Sequence, residues 1–415
     1  MTLSCFALGE QMLSVDEALA ALDERGVNRL SAERLPLAAA ARRVLAEECI
    51  SPIDVPPNTN AAMDGIALAW PAPTQLSLVG EVLAGHRFEH SLKPGEAVTI
   101  TTGAPLPGGA DTVIMKEQLD VDARSRLATI HQPQRVSRGQ NVRHAGEDIA
   151  RGSCAVAAGT RLRPQHLGLL ASLGVDSIEV VRRPRVAIFS TGDEVTSPGE
   201  ALGAAGVYDA NRYSLRGLLE ALGCEVDDLG ILADRPEAIR DALTGAATRA
   251  DMVITSGGVS SGQADWIKPA LSSIGRLGFW RIAMRPGRPL AFGVLGENEV
   301  PFFGLPGNPV AVMVTFLQFV QPLLRRLQGE YAWQPTRWSA IADEAMRSRS
   351  GRVDFHRGIY RIDATGQLHV RTTGHQGSGI LSSMAAANCL IEIEASRGDI
   401  GEGETVLLQP FGELT

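Results

Sequence analysis

Residues 251–265 read DMVITSGGVSSGQAD, and the parsing of this stretch decides the fold. An apolar, partly β-branched run, Met252-Val-Ile-Thr255, lies between Asp251 and the glycines Gly257 and Gly258. The run is too short for a helix and carries no charge, the pattern of a strand buried on both faces of a parallel sheet. Gly257, Gly258 and Gly262 free the backbone to take positive φ or to approach a ligand. Ser256, Ser260 and Ser261 add hydroxyls, and Asp265 adds a carboxylate. A loop that follows such a strand lies at the carboxyl edge of an open sheet, where doubly wound folds bind ligands. It is neither a Walker A loop, since no Gly-Lys-Ser/Thr follows, nor a GxGxxG dinucleotide fingerprint. Taken alone it is either an ordinary Gly/Ser connection or a ligand loop of its own kind.

The neighbouring sequence repeats the strand-then-loop pattern. Residues 186–189 form a strand that runs into Ser190-Thr-Gly-Asp-Glu194, and residues 225–232 form one that delivers Asp234. Helices are expected at 213–222, closed by Gly223, and at 236–249. Strands at 290–295 and 300–303 lead to Gly304-Leu-Pro-Gly-Asn-Pro309, where Asn308 suits the N-cap and Pro309 the first turn of a helix kinked at Pro322. This alternation predicts a doubly wound parallel sheet. Residues 190–194, Asp234, the 256–265 loop and 304–309 then converge on one rim, with Asp193, Glu194, Asp234 and Asp265 facing a common crevice. Each carboxylate alone reads as a cap or turn residue. As a set they are either repulsive or bound to a hard cation such as Mg²⁺ that bridges them to a phosphate, and the metal–phosphate reading is favoured.

The remainder of the chain is of different character. Ser14 and Glu17 form a capping box for a first helix, and an alanine-rich helix is expected at 36–47. The prolines of 51–65 impose an extended segment and a turn, and Asp64 reads most simply as that turn's residue. Short alternating strands from 66 to 141 predict an all-β lobe, with Thr102 in its one hydroxyl-rich turn. After Gly329, five strand-like runs predict a small β-barrel-like domain whose candidate anion-binding groups are Arg352, Arg357 and Gly377-Ser378-Gly379.

Composition sets outer limits. The 415 residues exceed a single hydrophobic core, and a net charge of −8 gives no bias toward nucleic acid or an anionic membrane. The longest apolar run, within 310–320, falls short of the roughly 18 residues of a membrane span. Five widely spaced cysteines, without CxxC, read as reduced thiols in a cytoplasmic protein. Only Lys93, Lys116 and Lys268 stand against 36 arginines, and the arginine fork suits phosphate or a tetrahedral oxometallate.

Eight motifs in register carry a family resemblance: Asn60-Ala-Ala-Met-Asp-Gly65, Thr102-Gly-Ala-Pro105, Gly146-Glu-Asp-Ile149, Ser190-Thr-Gly-Asp-Glu194, Ser256-Gly-Gly-Val-Ser260 with Gly262 and Asp265, Arg285-Pro-Gly-Arg-Pro289, Gly304-Leu-Pro-Gly-Asn-Pro309 and Gly377-Ser-Gly379. The chain resembles the molybdopterin molybdenumtransferases, the molybdenum-insertase family that includes the gephyrin E domain. The resemblance implies a multidomain α/β plus β protein. Its parts are N-terminal helices with a mixed linker region (1–54 and 143–181), an inserted β-lobe (55–142), a doubly wound parallel-sheet pterin-binding domain (182–330) and a C-terminal β-barrel-like domain (331–415). It implies insertion of molybdate into adenylylated molybdopterin with release of AMP, Mg²⁺ as cofactor with Asp234 and Asp265 as its ligands, and a molybdopterin adenylyltransferase acting upstream. Asp64, Glu194, Asp234 and Asp265 are implied as catalytic. The pterin substrate is implied to rest on Thr102, Thr191, Gly192, Asp193, Ser256, Gly257, Gly258, Val259, Ser260, Gly262, Pro306, Gly307, Asn308 and Pro309. Molybdate is implied to sit on Arg285, Pro286, Arg357 and Ser378. A homodimer with sites shared between subunits is also implied, with Ser378 and Arg357 reaching the partner's sheet. The chain departs from the family pattern at Thr59, Ala61 and Ile66, which replace an Asp, a Ser and an aromatic, and at Arg285 and Arg288, which replace lysines. The alternatives are a non-catalytic dimeric scaffold of the gephyrin kind and a molybdopterin adenylyltransferase-like activity.

Overall fold

The computed structural model describes residues 12–257 and 274–412. The chain forms two compact units, one of residues 34–41 and 45–179, the other of residues 1–33, 42–44 and 180–415.

The first unit is built on a six-stranded sheet in the order Thr112–Met115, Gly65–Leu68, Glu96–Ile100, Gln75–Val82, Leu127–Ile130, Leu119–Asp122. Alternation along the strands fills both faces. Ala67, Val98 and Val113 pack on one side, and Ile66, Leu68, Ala97 and Ile114 on the other. The helix expected at 36–47 does not form. A strand, Ala32–Pro36, leads into the single 3₁₀ turn Leu37–Ala39, and the Leu45 and Ala46 N–H groups donate to Thr160 O and Glu179 O, both at 2.9 Å. These tertiary pairings satisfy the backbone better than alanine's helix propensity, which is a weak preference.

The second unit begins with the helix Val15–Arg25. Its capping box is complete: Glu17 N donates to Ser14 Oγ and Ser14 N to Glu17 Oε2. A seven-stranded sheet follows the order Met12–Leu13, Gly275–Ile282, Pro289–Leu295, Val300–Leu305, Met252–Ser256, Arg185–Thr191, Glu225–Leu232. The last four strands are mutually parallel. Pro289–Leu295 runs antiparallel to both neighbours, so the sheet is mixed there. The link 296–299 is a hairpin turn, whereas a parallel crossover needs a dozen residues or so. Val186 and Ile188 pack with Leu215 and Leu219 on one face, and Ala187 and Phe189 with Ile239 and Leu243 on the other. Double winding is thus visible in successive residues of one strand.

The helical run Pro309–Leu327 is long and apolar enough to cross a membrane, but most of it is buried in this core. The irregularity expected at Pro322 is a π-type turn, Phe316–Val320, set between two α-helical segments. The proline offers no N–H and crowds the carbonyl four residues back, so a widened turn accommodates it.

Five strands close a barrel in the order Val353–Ile362, Leu368–Thr372, Trp338–Ala342, Thr405–Pro410, Cys389–Ile393 and back to the first. A sixth segment, Met284–Arg285, comes from the α/β layer and pairs with Val353–Ile362, Arg285 opposite Asp354. Phe355 and Leu390 leave the barrel and join the core of the α/β layer.

Candidate functional site

The ladder aligns the strand ends. Ser190 lies opposite Ser256, Thr191 opposite Leu232, and Ser256 opposite Leu305, so the four parallel strands finish at one edge. Ser190 Oγ and Ser256 Oγ are buried 3.2 Å apart. Gly192 takes φ +129°, and a Cβ there would come within 2.7 Å of Glu194 Oε2, so the Glu194 carboxylate folds over a position only glycine fills. Gly257 turns away from its strand at φ +89°. The Asp234 carboxyl is pushed above its usual range by burial and then by the negative charges of Asp193 and Glu194. Three of the expected acidic residues therefore share the rim. Gly258, Val259, Ser260, Gly262 and Asp265 lie outside the described residues, and among the described residues no cluster of three His, Cys, Asp or Glu is close enough to ligate a metal.

Beside this rim opens a cavity of about 750 Å³. Its lining takes Glu194, Gly257, Pro306, Gly307 and Asn308 from the sheet edge and the turns that follow it, and adds Arg285, Pro286, Arg288, Arg352 and Ser378. Motifs nearly two hundred residues apart meet here because Met284–Arg285 is drawn into the barrel's ladder. Asn308 occupies the N-cap position but does not cap; its Nδ2 donates to Ser378 Oγ at 2.9 Å instead. Val310 N donates to Ser378 O, and Asn211 Nδ2 to Gly307 O. Pro309 stands at the first helical position but is absent from the cavity wall.

The two barrel residues expected at the oxyanion, Ser378 and Arg357, are placed differently. Ser378 meets Asn308 and Val310 of its own chain, its Oγ accepting from Asn308 Nδ2 and its carbonyl from Val310 N. Arg357 does not line the cavity. It is 1% exposed, and its guanidinium donates to Ser383 Oγ, His375 O and Gly377 O, so it holds the 375–377 loop in place. Burial first, and the nearby Arg285 charge second, bring its pKa down to about 10. Such crowding of like charges favours an anion at Arg285. Among wall residues, Gln376, Met284 and Ala311 had no sequence signal beyond adjacency to the glycine motifs.

In the other unit, Asp64 Oδ1 accepts hydrogen bonds from Thr102 N and Thr102 Oγ1, both at 2.8 Å, and Lys116 Nζ stands 3.8 Å from Oδ2. The Thr102 amide, then its hydroxyl, then Lys116 hold the Asp64 carboxyl below its usual range. Asp64 is thus a partnered, half-exposed anion, more than a turn residue. Gly65 is obligatory, since a Cβ there would sit 1.8 Å from Ile114 O. Thr59 Oγ1 accepts from Ala145 N at 3.2 Å, so the departure from the family pattern is absorbed in a loop contact.

Comparison with known proteins gives consistent results. The family described as MoeA N-terminal region (domain I and II) matches residues 13–174, the probable molybdopterin binding domain 187–326, and the MoeA C-terminal region (domain IV) 339–411. The chain is 43% identical over 407 residues to the molybdopterin molybdenumtransferase of Haemophilus influenzae, covering 97% of this chain and 100% of that protein. It is 34% identical over 389 residues to the protein of the same name from Nostoc sp., covering 91% and 88%. The molybdopterin biosynthesis moeA protein from Pyrococcus horikoshii OT3 superposes with a TM-score of 0.82 at 30% identity, covering 96% of this chain and 100% of that one. With three family regions matched in order and full-length likeness in sequence and fold, the chain belongs to the molybdopterin molybdenumtransferase (MoeA) family.

Proposed function

We propose that this protein inserts molybdate into adenylylated molybdopterin and releases AMP, forming the molybdenum cofactor. The observation that carries the reading is the cavity whose lining joins arginines and a serine to the glycine-rich edge of the sheet. Molybdate is a tetrahedral dianion, and Arg285 and Arg288 supply forked donors for it, with Ser378 Oγ beside them. The helix that starts after Asn308, with Ala311 in the cavity lining, turns the positive end of its dipole toward the diphosphate. Asp193 and Glu194 each repel Asp234, a crowding that a hard divalent cation relieves, and Asp234 with Asp265 would hold Mg²⁺. Bound there, Mg²⁺ supplies positive charge against the phosphoanhydride. By family analogy Asp64 belongs to the catalytic set, and its Thr102 contacts hold its carboxyl below the usual range.

A molybdopterin adenylyltransferase supplies the substrate, and the reaction runs in the cytoplasm, in keeping with the free thiols of Cys49, Cys154, Cys224 and Cys389. A homodimer accords with the exposed Val207, Tyr208 and Tyr213, and sedimentation of the purified protein tests it.

The decisive assay supplies purified protein with adenylylated molybdopterin, Mg²⁺ and molybdate and follows AMP. Wild-type protein should release AMP in step with cofactor formation. Arg285→Ala should raise the molybdate concentration needed by about 10- to 100-fold, the worth of one charge-assisted hydrogen bond. Absence of AMP release by the wild type defeats the proposal, and an unchanged molybdate requirement in the variant removes the cavity from it.

A further inference from the structure

One backbone turn of the cavity is set from outside it. Gly307 and Asn308 belong to the lining and Asn211 does not, yet Asn211 Nδ2 donates to Gly307 O at 2.8 Å. The peptide between Gly307 and Asn308 is trans, and a planar trans peptide points its C=O and its N–H to opposite sides. The carbonyl held by Asn211 therefore sends the Asn308 N–H the other way, and that N–H has no partner among the described residues. The Asn308 side chain is tied down independently, through Nδ2 to Ser378 Oγ. Gly307 itself takes no left-handed φ, and a Cβ there would meet nothing within 4 Å among the described residues. Neither backbone strain nor packing calls for glycine at 307, so the missing side chain leaves room for a ligand to approach the peptide.

Asn211 is itself firmly placed. It opens the helix Asn211–Ala221, and the next residue, Arg212, is 11% exposed at its side chain and clamped between two carboxylates. Arg212 Nε donates to Asp209 Oδ2 at 2.9 Å, and its Nη1 to Asp228 Oδ2 at 2.7 Å. The buried Asp209 also accepts from Arg212 N at 3.1 Å. Upstream, Val207 N donates to Glu194 O and Asp209 N to Thr196 O, which stitches the helix start to the strand-end loop that carries Glu194. We propose that Asn211 is a positioning residue of this site: it holds the Gly307 carbonyl so that the Asn308 N–H faces the cavity and donates to a phosphate oxygen of the adenylylated pterin. A peptide fixed before the substrate arrives loses little freedom on binding. Without Asn211 the peptide is free to turn, and an inward carbonyl, which only accepts, would face an oxygen that also only accepts. This inference rests on the reading of the cavity as the site for that substrate.

Steady-state AMP release from adenylylated molybdopterin by the full chain tests it, using wild type, Asn211→Ala, Asn211→Asp and Gly307→Ala at pH 7. Asn211→Ala should raise KM for the pterin substrate about 10-fold with kcat at saturation preserved, the mark of a lost binding contact. Asn211→Asp keeps the size of the side chain and suits the first turn of a helix, but it sets an oxygen against the Gly307 carbonyl. Its KM should rise at least as far while its melting temperature holds. Gly307→Ala should raise KM by a similar factor without lowering the melting temperature, because alanine at an ordinary φ narrows the unfolded ensemble. Molybdate binding by equilibrium dialysis should stay near the wild-type value in both Asn211 variants. A wild-type KM in Asn211→Asp overturns the proposal, and so does an equal loss of molybdate binding, which marks a general loosening of the site. Should Asn211→Ala fail to fold, Asn211→Asp decides by the same two readouts. A wild-type KM in Gly307→Ala overturns the close approach of substrate to that peptide. If the wild type turns over and the Asn211 variants match it, this inference fails alone. If the wild type releases no AMP, it fails together with the proposed function.

Discussion

Asp234 shows how a single side chain reports on its surroundings. Its carboxyl is raised by burial, then by Asp193 and Glu194, so in the folded chain the ionised form is disfavoured relative to the unfolded chain. The sign follows from linkage. Stability falls as pH rises from the ordinary carboxylate range through the raised value, and the penalty is fully present at neutral pH. Asp234→Asn should therefore raise the melting temperature in Mg²⁺-free buffer at pH 7 while lowering AMP release by at least about 100-fold. Calorimetry and the AMP assay on the same preparation check both halves, and a lowered melting temperature would refute the crowding. Asp64 has the opposite sign, because Thr102 and then Lys116 hold its carboxyl low. Asp193, Glu194 and Asp234 were legible as neighbours from strand ends alone. The burial of Arg357 was not, since a lone arginine on a barrel strand carries no mark of which way it points.

Local elements were legible wherever the signal was contained within a few residues. Ser14 and Glu17 make the expected capping box, and Ser14→Ala should cost about 1 kcal/mol by chemical denaturation, with no change in molybdate binding. Gly223 takes φ +80° just past the helix Asn211–Ala221, as its place in the sequence requires. Residues 36–47 show the limit of such reading. Their alanines favour a helix by tenths of a kcal/mol each, whereas backbone hydrogen bonds to Thr160 and Glu179 come from residues more than a hundred positions away. Asn308 likewise stands where a cap belongs, yet its amide is taken by Ser378, a contact that exists only once the barrel is in place.

For the molecule as a whole, the cavity depends on the barrel being seated against the α/β layer of its unit. Phe355, 1% exposed, packs into the core shared with Phe292 and Phe303 and fixes that seat, together with the Met284–Arg285 rung. Phe355→Ala should lower stability by about 3–5 kcal/mol in guanidinium denaturation and weaken molybdate binding, although the side chain does not line the cavity. Retained affinity in a destabilised variant would show that the ladder alone holds the wall. The sequence by itself determined the periodicities, the caps and the glycine-rich strand ends, because these rest on backbone sterics and on side chains a few positions apart. Its motifs also settled the family. Only the tertiary structure decided that Pro289–Leu295 runs backwards, that Arg357 is a buried brace and that Arg285 and Ser378 face one cavity, because each depends on pairings between segments far apart in the chain.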